Sequence, residues 1–172
     1  MNTEEIVRTY ETWAIKTVKT ANVIDAAYCI AVGYSNTTVG GGMHVSIGIG
    51  LERDRTSATA EKKVRFAKYG SWYDPAELEH YDTVLLGSPP KIDSPPPQET
   101  WRDIYVEVSR RLADRDWSEE LPTTDDFVVY ATDCELEDLG ENFGLSVPTP
   151  LRERLLADGW IPEALALGVP MW

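Results

Sequence analysis

Residues 116–141 of this chain read DWSEELPTTDDFVVYATDCELEDLGE. The apolar run Phe127–Thr132 inside this stretch is flanked by carboxylates on both sides, and its composition is typical of a buried strand. The stretch holds ten acidic residues and neither a lysine nor an arginine. A strand placed in this way carries negative charge at both of its ends.

The charge of the whole chain is also uneven. The 172 residues have a formal net charge of -13. Residues 1–86 hold nine basic and eleven acidic side chains, whereas residues 87–172 hold seven basic and eighteen acidic ones. Nucleic acids and anionic membranes are bound through clustered lysine and arginine, so the composition argues against both as partners. It favours a basic protein partner, or else an acidity that serves only solubility.

Length, cysteine content and hydropathy indicate one globular domain spanning residues 1–172. Cys29 and Cys134 each lie in an apolar run, which is typical of buried free thiols rather than of disulfides or metal ligands. The N-terminal residues do not form a signal peptide, and no apolar run reaches membrane-spanning length. We therefore expect a cytoplasmic protein.

Apolar periodicity predicts the elements around the acidic stretch. Helical spacing predicts helices over residues 3–20 and 98–115, and a further helix that starts at Thr149-Pro150. Alternation predicts strands over residues 27–34, 43–51 and 63–69, the first two forming an antiparallel hairpin. Residues 87–98, five of them proline, are expected to form a surface loop. Because the strands run together before the helices, we expect an α+β fold, with a mostly antiparallel sheet of four or five strands and helices packed on it.

No motif in the chain is typical of catalysis or of nucleotide binding. The glycines at 40–42 are not followed by a Lys-Ser or Lys-Thr step, which excludes a phosphate-binding loop of the usual kind. Cys134 with His44 or His80 would make a thiol nucleophile and base, but the residues around Cys134 do not indicate an activated thiol. We therefore assign no catalytic residue.

Residues 69–77, YGSWYDPAE, contain a Trp-Tyr pair followed by a helix start in which Asp74 is the N-cap and Glu77 its capping-box partner. Together with the N-terminal helix and the predicted hairpin, this motif resembles a family of small acidic bacterial domains of unknown function, similar to SUKH-like immunity proteins of toxin systems. The resemblance covers about half of the chain. It implies a toxin-neutralising protein and supplies no catalytic residue.

We therefore expect a non-enzymatic acidic binding protein of the immunity type, which occupies the basic site of a nuclease-like toxin and needs no cofactor or metal. The predicted partner-binding residues are eight carboxylates and one aromatic pair: Glu119, Glu120, Asp125, Asp126, Glu135, Glu137, Asp138, Glu141, Trp72 and Tyr73. Two alternatives stay open. One is a metal-assisted hydrolase that uses the acidic loop Asp133–Glu141, since hard cations prefer oxygen ligands. The other is a homodimeric scaffold that associates through the apolar tail Trp160–Trp172.

Overall fold

Three strands form one sheet in a computed structural model that describes residues 1–34, 45–57, 89–133 and 137–170. They are β1 (Ala27–Tyr34), β2 (Val45–Leu51) and β3 (Thr123–Asp133), in the order β2-β1-β3. β1 pairs antiparallel with β2 and parallel with β3. β1 and β3 therefore end at the same edge of the sheet, where Tyr34 lies beside Asp133.

The predicted antiparallel sheet of four or five strands is wrong, although the fold is α+β. Within the described residues the sheet has three strands and is mixed, because one of its two pairings is parallel. The physical reason lies in β1, whose residues from Ala27 to Val32 are all buried. A strand covered on both faces is typical of parallel pairing. The predicted strand at 63–69 and the short helix after Asp74 lie outside the described residues.

Helix α1 (Thr3–Ala21) confirms the prediction for the N-terminus. Asn2 closes a capping box with Glu5: its Oδ1 accepts the Glu5 N–H at 2.9 Å, and Glu5 Oε2 accepts the Asn2 N–H at 2.8 Å. The helix ends at Asn22, whose φ of 49° places it in the left-handed region that terminates helices.

Five further α-helices follow among the described residues. They are α2 (Glu52–Ser57), α3 (Trp101–Ala113, preceded by a 3-10 turn at Gln98–Thr100), α4 (Leu139–Ser146), α5 (Thr149–Ala157) and α6 (Glu163–Leu167). The predicted helix at 98–115 is confirmed in α3, and the predicted helix start at Thr149 is confirmed in α5. Helix α4 was not predicted, because its first residues belong to the acidic run.

The helices cover both faces of the sheet. On one face, α1 and α3 bury side chains such as Val18 and Ile104 against Ile30 and Val32 of β1. On the other face, α4, α5 and α6 bury side chains against Tyr28 and Tyr130, including Phe143, Leu155 and Leu165. Burying a large apolar side chain contributes about 1.5–3 kcal/mol, so each layer has its own stabilising core.

The C-terminal segment is docked on this second core. Ile161 and Leu165 are buried there, while Leu167 and Val169 are exposed. The proline-rich residues from 89 to 97 contain no helix or strand, and Ile92 packs against the first core. Within the described residues, no helix is both long enough and apolar enough to cross a membrane.

Candidate functional site

Asp126, one of the predicted partner-binding residues, lies in the interior. It receives a bidentate pair of hydrogen bonds from Arg55, with Nη1 to Oδ2 at 2.7 Å and Nη2 to Oδ1 at 3.1 Å. The Thr124 hydroxyl donates to Asp126 Oδ1 at 2.6 Å. Burial acts to raise the pKa of the Asp126 carboxyl, but these hydrogen bonds outweigh burial and hold the pKa below its ordinary value. Asp126 is therefore a structural ion-pair partner.

Arg55 itself connects four parts of the chain. It is 4% exposed, and its Nη2 lies 2.6 Å from Oε2 of Glu52 in the same helix. Its Cζ lies 4.9 Å from the centroid of the Tyr28 ring in β1 and 4.9 Å from that of Trp160 in the C-terminal segment. Such cation–π contacts strengthen when they are removed from water.

Asp138 and Glu141, two further predicted residues, belong to a polar network where β1 and β3 end. The Tyr34 hydroxyl donates to Asp138 Oδ2 at 3.2 Å and accepts a hydrogen bond from Asn142 Nδ2 at 2.9 Å. Arg102 of α3 donates from Nε to Asn142 Oδ1 at 2.8 Å and from Nη2 to Glu141 Oε2 at 2.6 Å. Both carboxylates are therefore engaged by donors of the same chain.

An aromatic stack fixes this network from the α3 side. The Tyr34 ring is stacked on Tyr105 at 5.2 Å between centroids, and Tyr105 is stacked on Trp101 at 5.7 Å. Burial is the main cause that raises the pKa of the Tyr34 hydroxyl above its ordinary value. At neutral pH this hydroxyl is protonated, so it serves as a hydrogen-bond donor rather than as a base.

Asp133 organises the turn from β3 into α4. Its carboxylate accepts the backbone N–H groups of Glu137 at 3.2 Å and of Asp138 at 3.1 Å. Asp133 is buried, and Glu137 is exposed. In the described parts of the chain no three His, Cys, Asp or Glu side chains are placed to hold a metal ion together. Cys134 and Glu135 lie outside the described residues.

The connection between α3 and β3 is anchored by two buried side chains, Trp117 and Leu121. The Trp117 indole N–H donates to the carbonyl of Leu112 at 2.8 Å, and the carbonyl of Trp117 accepts the N–H groups of Glu120 and Leu121, both at 2.9 Å. Arg115 pairs with Glu120 at 2.6 Å, and its Cζ lies 5.4 Å from the centroid of the Trp117 ring. These contacts hold the connection in one conformation.

Four exposed carboxylates lie in this connection and at the start of β3. We call Asp114, Asp116, Glu119 and Asp125 the connector acids; all four are exposed, and none has an ion-pair partner among the residues that the structure describes. Asp116 Oδ1 accepts the Ser118 N–H at 2.9 Å. The backbone N–H of Ser118, followed by its side chain, lowers the pKa of the Asp116 carboxyl, so this group stays charged at neutral pH.

The described members of the predicted site lie near the two ends of β3 rather than together. Glu119, Glu120, Asp125 and Asp126 lie at the start of β3, whereas Glu137, Asp138 and Glu141 follow its end. An eleven-residue strand is about 36 Å long, at roughly 3.3 Å for each residue. Trp72, Tyr73 and Glu135 lie outside the described residues. Of the predicted carboxylates, only Glu119, Asp125 and Glu137 are exposed without an ion pair in the described chain.

The remaining described carboxylates of the predicted site are neutralised by arginines that the sequence did not indicate as their partners. Arg55 and Arg102 are far in sequence from their acidic partners, so no local pattern indicates these pairs. Arg115 and Glu120 are five residues apart, which is not a helical spacing that brings side chains together, so this pair had no sequence signal either. Comparison of the chain with protein-family models, curated proteins and solved structures gave no match. The resemblance to SUKH-like immunity proteins stays a prediction, and its motif at 69–77 lies outside the described residues.

Proposed function

We propose that this chain is a non-enzymatic binding protein of the immunity type, and that its connector acids engage the basic site of a protein toxin. The observation that supports this proposal is the anchored connection between α3 and β3. Trp117 and Leu121 are buried beneath it, and the carboxylates of Asp116, Glu119 and Asp125 face solvent. The connector acids replace the larger set of carboxylates that the sequence predicts.

Two physical properties suit this surface to binding a basic protein. Four exposed carboxylates within residues 114–125 produce a local negative potential, which accelerates encounter with a basic partner and selects against acidic ones. An anchored loop loses less conformational entropy on binding than a loose one, so more of the interaction free energy appears as affinity. The paired carboxylates Glu120, Asp126 and Glu141 contribute less, because each already has an arginine partner.

The two alternative functions receive less support from the contacts. In the acidic loop, the carboxylates of Asp133, Asp138 and Glu141 accept hydrogen bonds from backbone, tyrosine and arginine donors. A metal ion would have to displace these donors. In the tail, Ile161 and Leu165 are buried against the chain's own second core. That part of the tail is therefore already covered.

The test compares two triple variants with the same net charge. In the first, Asp116, Glu119 and Asp125 are changed to lysine; in the second, the exposed Glu99, Glu153 and Glu163 are changed to lysine. The unmodified chain is immobilised and exposed to lysate of the source organism, and partners retained at low salt and released at high salt are identified. The association rate of a purified basic partner is then measured for the unmodified chain and for both variants.

We expect the connector variant to bind the basic partner at least ten-fold more slowly than the unmodified chain, since steering by local charge changes association rates by about ten-fold or more. The control variant should lose much less. Equal losses in the two variants would show that only net charge matters, and an unchanged rate in the connector variant would contradict the proposal outright.

A further inference from the structure

A cavity of about 390 Å³ lies beside β3, against the C-terminal end of α3 and the turn from α4 into α5. Its volume falls in the range of sites for small molecules, roughly 300–1,000 Å³. Its lining is mixed: Phe127, Val129 and Leu151 are apolar, while Arg152 and Ser146 bring polar groups to the same space. Apolar side chains beside a few convergent polar groups are a common lining of small-ligand sites.

Arg152 is held in place by neutral acceptors. Its Nε donates to the carbonyl of Val147 at 3.0 Å, its Nη2 donates to Thr149 Oγ1 at 2.9 Å, and its Nη1 donates to the carbonyl of Ala166. A guanidinium has five N–H donors, so two are left without an acceptor in the described parts of the chain. No carboxylate pairs with Arg152 there. Its charge is thus fixed in position and open to an anion.

The start of α5 adds two further features to this wall of the cavity. The nine-residue helix begins at Thr149, and both Thr149 and the preceding Pro148 line the cavity. A helix N-terminus carries partial positive charge and unpaired N–H groups. Ser146 lines the cavity as well; it is 6% exposed, and its hydroxyl has no hydrogen-bond partner among the described residues. A buried hydroxyl without a partner destabilises the free protein, and a ligand acceptor would relieve that cost.

We propose that this cavity binds a small organic monocarboxylate with an apolar body. The carboxylate is recognised by the free N–H groups of Arg152, by the start of α5 and by the Ser146 hydroxyl, while the apolar body packs on the partly exposed Phe127 and Leu151. The charged residues of the lining are Arg110, Asp114 and Arg152, so its formal net charge is +1. That balance suits a monoanion better than a phosphate dianion. One connector acid, Asp114, lies at this cavity, but the proposal does not depend on the binding of a basic partner.

The test is an NMR titration of the full chain with hexanoate, with hexanamide as the neutral probe of the same shape. We expect saturable shifts of the backbone amide signals of Val147, Thr149 and Leu151, with a Kd on the order of 1 mM. Hexanamide should bind at least ten-fold more weakly, because hydrogen bonds between charged groups are about twice as strong as neutral ones. Equal binding of the two probes, or shifts that do not saturate, would overturn the proposal.

Three variants assign the binding to named side chains. Arg152→Gln should weaken hexanoate binding at least ten-fold, while Arg154→Gln, on the same helix and outside the cavity lining, should leave it unchanged. Since Arg152 also holds two carbonyls, Ser146→Ala is the second variant: it removes only the hydroxyl and should weaken binding about three-fold. Unchanged affinity in Ser146→Ala, or an equal loss in Arg154→Gln, would count against the site.

Discussion

Arg55 connects several separate elements of the described fold. Its guanidinium pairs with Asp126 of β3 and Glu52 of α2, and it contacts the rings of Tyr28 and Trp160. A buried ion pair adds little stability relative to an apolar pair of the same shape, but removal of one partner leaves an uncompensated charge in the interior. Arg55 is therefore best tested by deleting one partner at a time.

We predict that Arg55→Met lowers the free energy of unfolding by about 3–5 kcal/mol, because Asp126 then remains buried without its cation. Arg53→Gln on the same helix is the matched control. Arg53 pairs with Asp25 at 2.6 Å, and the two side chains are 54% and 38% exposed, so about 0–1 kcal/mol is expected. Urea unfolding of both variants measures the difference. Similar losses in the two would mean that the Arg55–Asp126 pair is not a special stabilising contact.

The Asp126 carboxyl predicts a pH dependence of stability. Because its folded pKa is lowered, the unfolded chain binds more protons than the folded one at pH values between the two pKa values. The stabilisation is therefore complete at pH values above the pKa of the unfolded chain, about 4, and is lost as the pH falls through the pKa of the folded protein. The loss is about 1.4 kcal/mol for each unit that separates the two pKa values.

Urea unfolding at pH values from about 2.5 to 6 checks this expectation. The Asp126→Asn variant should be less stable at neutral pH and should show a flatter acid limb than the unmodified chain. Asp125→Asn, at the exposed neighbouring position, is the control and should keep the original slope. An Asp126→Asn profile parallel to that of the unmodified chain would disprove the linkage.

At the scale of elements, local patterns predicted α1, α3, β1, β2 and β3 and the antiparallel pairing of β1 with β2, but not the parallel pairing of β1 with β3. Whether β1 and β3 run parallel depends on the long path of the chain between residues 34 and 123, which periodicity cannot report. The run Ala27–Val32 is apolar on both faces, which is typical of a covered strand with a parallel neighbour, but the sequence analysis used this run only to predict the hairpin. Helix α4 was missed because the carboxylates around Leu139 obscured an apolar face formed by Leu139 and Phe143.

The packing of α4 against the end of α6 predicts the effect of one substitution. A Cβ atom at Gly144 would lie 2.6 Å from the Cα of Gly168, whose φ of 68° is itself in the left-handed region. In an open helix, Gly→Ala is stabilising by roughly 0.5–1 kcal/mol. Here we predict that Gly144→Ala is destabilising by about 1–3 kcal/mol, because two backbones must separate.

Thermal unfolding compares this variant with Leu145→Ala at the adjacent position. The Leu145 side chain is 58% exposed, so its removal should change the free energy of unfolding by at most about 0.5 kcal/mol. A stabilised Gly144→Ala protein would show that the contact between α4 and α6 is looser than the structure has it.

For the molecule as a whole, composition predicted the amount of negative charge but not which carboxylates lack an ion-pair partner. The net charge of -13 follows directly from the sequence, and so does its concentration after residue 86. The pairing of Asp126 with Arg55 and of Glu141 with Arg102 required the fold, because these partners are separated by 71 and 39 residues. The sequence therefore predicts that the surface charge is negative. Which carboxylates are free to bind a partner depends on which of them the chain's own arginines pair with in the fold.

This surplus of negative charge predicts how stability responds to salt. Like charges about 10 Å apart repel by roughly 0.4 kcal/mol in water, and folding brings many of them to such distances. Raising NaCl from about 10 mM to 150 mM shortens the Debye length from about 30 Å to 8 Å and screens this repulsion. The same salt weakens exposed ion pairs, but these contribute only about 0–1 kcal/mol each. We therefore expect the free energy of unfolding to increase with salt, by on the order of 1 kcal/mol.

The triple lysine variant at Asp116, Glu119 and Asp125 distinguishes the two effects of salt, which are screening of repulsion and weakening of ion pairs. Three reversals change the net charge from -13 to -7, and the variant should gain less stability from added salt than the unmodified chain. Urea unfolding at several NaCl concentrations measures both slopes, and glycerol in place of salt controls for effects that do not depend on ionic strength. A free energy of unfolding that falls as NaCl is added would mean that the ion pairs of Arg102, Arg111 and Arg115 outweigh the repulsion among the remaining carboxylates.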